Sequence, residues 1–162
     1  MTILSGEDEK QALAYIQNAV DLARNATCER SRCGSVIVFA GEEIIGKGWN
    51  TPPQNDERER RCTREKASYH PKVTDKTCCV HAEQRAIMDA LRTHPTKLAG
   101  SRLYFIRLDS EGAPMRAGEP YCTICSKMAL DVGIAEFVLW HEAGVCVYDT
   151  QEYNARSYAF GG

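Results

Sequence analysis

The sequence predicts an α/β domain, and three observations carry that expectation. Two β-branched runs between residues 34 and 49 flank a Gly-Glu-Glu turn, as in a hairpin. After residue 80, helical and strand patterns alternate, which implies right-handed crossovers and a parallel portion of sheet. The length, 162 residues, suits one domain spanning 1–162 with a sizeable core. No internal repeat or second domain is visible.

The elements follow in order. Asp8–Asn25 reads as a first helix, with Leu13, Ile16, Val20 and Ala23 on one face. Gly34–Ala40 is a strand, Gly41-Glu42-Glu43 turns it, and Ile44–Trp49 returns. Residues 50–80 are the least regular part, with Pro52-Pro53, a charged run from Asp56 to Arg61, and His70-Pro71. They read as a long insertion loop at about 51–79, with room for a short helical turn. His81–Thr93 is a second helix that turns Ala82, Ala86, Ile87, Ala90 and Leu91 inward, and His94-Pro95 ends it. Ser101–Leu108 is a third strand, followed by a turn-rich loop over Asp109–Gly118. Cys122–Val132 is a third helix, stopped by Gly133. Ala135–His141 is a fourth strand, Val145–Tyr148 a short fifth, and Asp149–Tyr158 a terminal helix.

Composition removes several classes of function. The formal charge is −2, so no basic excess advertises a nucleic-acid surface. The polar, acidic start from Met1 to Lys10 carries no signal-peptide pattern, and no apolar run approaches a membrane span. Eight cysteines are many for this length. Without a secretion signal, and with two of them at metal-ligand spacing, they read as reduced thiols in the cytoplasm, some on zinc.

Two short motifs carry the chemistry. The first is His81-Ala82-Glu83 and the second Cys122-Thr123-Ile124-Cys125. One imidazole and two thiolates are three good Zn2+ ligands, which leaves the fourth tetrahedral position open for water. Both groups open predicted helices, whose N-terminal partial positive charge lowers thiol pKa values. Glu83 is not a ligand, so it is free to carry a proton from that water to a ring nitrogen and a leaving amine. The competing reading is a closed zinc staple with Cys79 as a fourth ligand and no reaction.

Taken together, these motifs resemble the cytidine/deoxycytidylate deaminase superfamily over most of the chain. The resemblance implies three layers, a mixed sheet of five strands with helices on both faces. It implies His81, Cys122 and Cys125 as zinc ligands and Glu83 as the general acid/base. Within the superfamily the chain looks most like deoxycytidylate deaminases. Gly48-Trp49-Asn50-Thr51-Pro52-Pro53 is similar to their segment after the second strand, in which the asparagine contacts the sugar. The implied activity is hydrolytic deamination of a cytosine nucleotide or nucleoside, the monophosphate first. Asn50, Ala82 and Tyr121 are the implied substrate contacts. A homo-oligomer and a small-molecule substrate are the expected partners. A guanine, a free base, or a base within transfer RNA or a single strand is the rival substrate class.

The chain also departs from the family pattern. Tyr121 stands between Pro120 and Cys122, where the family places proline directly before the first cysteine, and Arg85 replaces a common asparagine. Cys28, Cys33, Cys62, Cys78 and His70 are candidates for a second ion, since some deoxycytidylate deaminases carry one near the insertion. Loose spacing favours buried free thiols instead. Arginines 58, 60, 61 and 64 suit a substrate phosphate, but read singly as a solvated loop. Arg32 has the same standing. The tail residues Tyr148, Tyr153, Tyr158 and Phe160 read as packing on the sheet.

Overall fold

The computed structural model describes residues 1–161. In chain order the elements are β1 Thr2–Ile3, α1 Gly6–Ala23, β2 Arg32–Phe39, β3 Glu43–Trp49, α2 Ala82–Thr93, β4 Arg102–Leu108, β5 Pro114–Met115, α3 Thr123–Asp131, β6 Glu136–His141, β7 Gly144–Asp149 and α4 Thr150–Tyr158. The sheet order is β1-β7-β6-β4-β2-β3, with β5 added to β4. Only β4 and β6 run parallel, Arg102 opposite Glu136, so the expected parallel portion is a single pair. The hairpin of β2 and β3 and the three-layer α/β arrangement agree with the sequence reading.

The sheet has seven strands rather than five. The two extra strands hold two residues each, Thr2–Ile3 on β7 and Pro114–Met115 on β4. Two residues show no periodicity, and Pro114 lacks a backbone donor, so neither pattern reads as a strand.

Each face of the sheet has its own core. On one side, Ala12, Ile16, Ala19, Val20 and Ala23 of α1 pack on Val36, Val38, Tyr104, Ile106 and Val138. On the other, Ala86, Ile87 and Ala90 of α2 join Ile37, Leu103, Ala129 and Phe137. Tyr153 of α4 stacks on Phe137 with ring centroids 4.0 Å apart. Tyr148 and Tyr153 pack as expected, whereas Tyr158 and Phe160 are exposed. Leu91 is also exposed, contrary to the sequence reading. The sheet ends at β3, against which α2 packs, and the small residues Ala82, Ala86 and Ala90 already form the buried stripe.

Glycine lets α2 sit that close. A Cβ on Gly48 would stand 2.1 Å from the Ala82 carbonyl oxygen and 2.5 Å from the Ala86 nitrogen. Gly48→Ala must push the first turn of α2 off the sheet. Overpacking of this kind costs about 1–3 kcal/mol. A chain of this size loses about 2–4 °C in Tm per kcal/mol. We expect a lower Tm, read by calorimetry, together with reduced activity, because the displaced turn carries Glu83.

The insertion closes at its base. The Val80 N–H donates to the Thr51 carbonyl at 2.9 Å. Arg85 reaches over from α2 to the Thr51 hydroxyl at 2.6 Å and the Pro52 carbonyl at 2.9 Å. Inside it are three single turns of 3-10 helix, Pro53–Asn55, Glu57–Glu59 and Lys66–Ser68. The charged run pairs within itself, Arg58 with Asp56, Arg60 with Glu57 and Arg61 with Glu59; Arg58 and Arg61 are exposed, whereas the Arg60 side chain is largely buried and also donates to the Thr27 carbonyl at 2.6 Å.

Candidate active site

α2 and α3 begin side by side, and their caps carry the metal donors. His81 is the N-cap residue of α2, and its backbone N–H donates to the Gln84 side chain at 3.0 Å. This bond fixes the entry to the helix. Cys122 caps α3, and Cys125 lies buried in its first turn. His81 Nδ1 is 3.2 Å from Cys125 Sγ and 3.4 Å from Cys122 Sγ. The three donor atoms lie within 4.8 Å of one another.

This donor set fits Zn2+. Bond lengths of about 2.0–2.3 Å in a tetrahedron put ligand atoms roughly 3.5 Å apart. The far nitrogen, His81 Nε2, lies 3.3 Å from the Thr77 hydroxyl, which also donates to Asp75 at 2.6 Å. Such an outer partner orients a ligating imidazole. Nothing in the local sequence marked Thr77 for this part.

The charges suit a cation. The Cys122 thiol is brought down to about 4, first by a hydrogen bond from Cys125 and then by His81. Cys125 moves in the opposite direction, raised by sharing its proton with Cys122 and by burial. His81 is raised to about 9, chiefly by its bond to Cys122. Glu83, the second residue of α2, is 5% exposed, and burial pushes its carboxyl up to about 7.

The site opens into a cleft of about 180 Å³ that Asn50, Ala82 and Tyr121 also line. Ala82 opens α2, so its backbone N–H lacks a carbonyl one turn back. Asn50 is largely committed to the protein. Its Oδ1 accepts from the Cys33 N–H at 2.8 Å, and its Nδ2 donates to the Ser31 carbonyl at 2.7 Å. It holds the edge of β2 beside the cleft. Tyr121 is half exposed and accepts a hydrogen bond from Arg107, a residue that the sequence reading passed over.

Cys79 is not part of this group. It belongs to a second one, with Cys28 and Cys62, whose sulfurs also lie within 4.8 Å of one another. Cys78 joins them, its Sγ 3.3 Å from Cys62 and 3.9 Å from Cys79. Among the described residues the staple reading therefore loses its fourth ligand. Two other second-site candidates face elsewhere. Cys33 Sγ is 3.3 Å from the Ser31 hydroxyl, and His70 Nδ1 accepts from the Lys72 N–H.

A three-layer α/β fold with one imidazole, two thiols and a buried carboxylate at two helix starts defines a zinc-dependent deaminase of amidine-type rings. The chain belongs to the family described as the cytidine and deoxycytidylate deaminase zinc-binding region, whose model matches residues 9–141. Its cofactor is Zn2+. Among solved structures it is similar to the dCMP deaminase of cyanophage S-TIM5 in complex with dCMP and dUMP. Identity there is 24%, the TM-score 0.55, and coverage 83% of this chain and 81% of that one. It is also similar to cytidine deaminase from Burkholderia pseudomallei, at 18% identity and a TM-score of 0.54, over 87% and 94% of the two chains. At these identities the likeness shows a shared fold. No curated protein matches the sequence. Among the described residues no helix is long and apolar enough to cross a membrane.

Proposed function

We propose that the protein hydrolyses the exocyclic amine of a cytosine nucleotide, releasing ammonia and the uracil product, with deoxycytidine monophosphate as first choice. The observation that carries this is the buried Glu83 carboxyl, inside a cleft, next to the His81–Cys122–Cys125 group. Zn2+ on that group supplies the Lewis acidity that makes water a nucleophile near neutral pH. Glu83 takes one proton from the attacking water and passes it to the ring nitrogen, then takes the second from the hydroxyl now on the ring carbon and gives it to the departing amine, which leaves as ammonia. The first-turn N–H at Ala82 donates to the ring carbonyl. Asn50 keeps the β2 edge in place beside the sugar, and the Tyr121 ring shields the mouth. The reading includes a cytoplasmic protein that assembles with copies of itself.

The test is an ammonia-release screen of the zinc-loaded protein over bases, nucleosides and monophosphates. Release from deoxycytidine monophosphate is the expected result. Release from guanine or other free bases alone overturns the substrate and keeps the chemistry. Salt-sensitive deamination of a single strand or a transfer-RNA stem-loop would move the substrate into nucleic acid.

The second thiol group bears on metal content. All-sulfur sets of this kind hold Zn2+ closed, without an open position. Metal analysis of protein purified under reducing conditions should count two ions per chain. Cys62→Ser should bring the count to one, with the catalytic ion retained. One ion in the wild type, with all four thiols reactive, would remove the second site.

A further inference from the structure

Arg107 ends the line of side chains that runs along β4 beneath α2. Leu103 lies in the core with Ala86 and Ile87, Phe105 packs against that core, and Arg107 follows on the same face. Across the sheet it is paired with Cys33 of β2. This places the guanidinium in the wall of the cleft that holds Glu83, His81 and Cys122.

Its partners are neutral. One Nη donates to the Tyr121 hydroxyl, and the guanidinium carbon is 5.9 Å from that ring. Its Nε is buried with no hydrogen-bond partner. No carboxylate among the described residues pairs with it, whereas Arg102, on the same strand, meets Glu136 at 2.7 Å. A partly buried cation without an anion is unfavourable. Its planar fork matches the oxygens of a phosphate, which it can hold by two parallel N–H bonds.

Two more cations line the cleft. Lys66 of the insertion lines it and has no ion-pair partner among the described residues. Arg30 lines it too, already donating to the carbonyls of Cys62 and Arg64. Glu83 is the one carboxylate in the lining. Three arginine and lysine side chains, Arg30, Lys66 and Arg107, thus line the metal cleft beside one carboxylate.

We propose that Arg107 selects a phosphorylated substrate: its guanidinium pairs with the 5′-phosphate of the nucleotide, and the Lys66 ammonium adds a second positive charge to that group. This rests on the deaminase reading of the cleft and assigns the specificity within it.

Two measurements test it separately. In calorimetric titration of the zinc-loaded protein with 2-deoxyribose 5-phosphate, a probe without a base, wild type should bind at millimolar concentration. Arg107→Met should weaken that binding at least tenfold. In steady-state kinetics, Arg107→Met should lower kcat/KM for deoxycytidine monophosphate about 10–100-fold, mostly through KM. Deoxycytidine should change by no more than about twofold, and Arg107→Lys should recover part of the loss. Lys66→Met, at an exposed position that does not threaten folding, should raise KM for the monophosphate alone by about threefold or more. Equal losses on nucleoside and nucleotide, no loss on either, or no sugar-phosphate binding by wild type would each overturn the proposal. If wild type deaminates no cytosine compound, the substrate reading fails, and the sugar-phosphate titration still decides what Arg107 binds.

Discussion

Glu83→Gln should lose about 10²–10⁴-fold in kcat while keeping its full zinc content, since positioned proton transfer contributes about that much. At the upper end this is about 5.5 kcal/mol of transition-state stabilisation. The substitution is nearly isosteric, so the 5% exposed pocket stays filled and the helix start keeps its packing. It removes the group that accepts and returns the proton, and it leaves the donors on His81, Cys122 and Cys125 alone. Because the native carboxyl is held up to about 7 by burial, a neutral amide there does not reduce stability. Ammonia release, metal analysis and a melting curve on one preparation check all three statements. A loss of less than tenfold would take Glu83 out of the proton path.

Cys125→Ala is the other large effect. Cys125 is fully buried and is one of three donors, so its removal leaves a two-ligand remnant that cannot retain zinc. Activity should fall below detection, and added Zn2+ should not restore it. The Tm should fall as well, because a metal bound only by the folded chain adds its binding energy to stability. Dipicolinate treatment of the wild type should abolish activity reversibly, with recovery on adding Zn2+. Full activity in Cys125→Ala, or in chelated wild type, would contradict zinc catalysis.

The grouping of His81, Cys122 and Cys125 was legible because these donors sit at short spacing within two motifs, each at the start of a helix. The helices and the hairpin were legible from periodicity, since each buries one stripe or one face. What escaped depends on contacts between distant segments. Cys28 and Cys62 read as candidates for a second ion but Cys79 as a rival ligand of the first, and spacing alone does not show that the Thr51–Val80 bridge brings Cys79 to the other two. Leu91 continued an apolar pattern, but the sheet stops at β3. Asn50 read as a sugar contact, and the motif does not show that its amide also holds Ser31 and Cys33. Arg107 carries no motif of its own within the third strand. The contact with Tyr121, fourteen residues on, and the pairing with Cys33 place it in the wall of the cleft.

The most direct test of the central claim is anomalous diffraction at the zinc edge from crystals of the native protein. The account predicts a peak within about 2.5 Å of His81 Nδ1, Cys122 Sγ and Cys125 Sγ. The fourth neighbour should be solvent, with the Glu83 carboxylate beside it. No peak at that position, or a peak closed by a fourth protein ligand, would contradict the account.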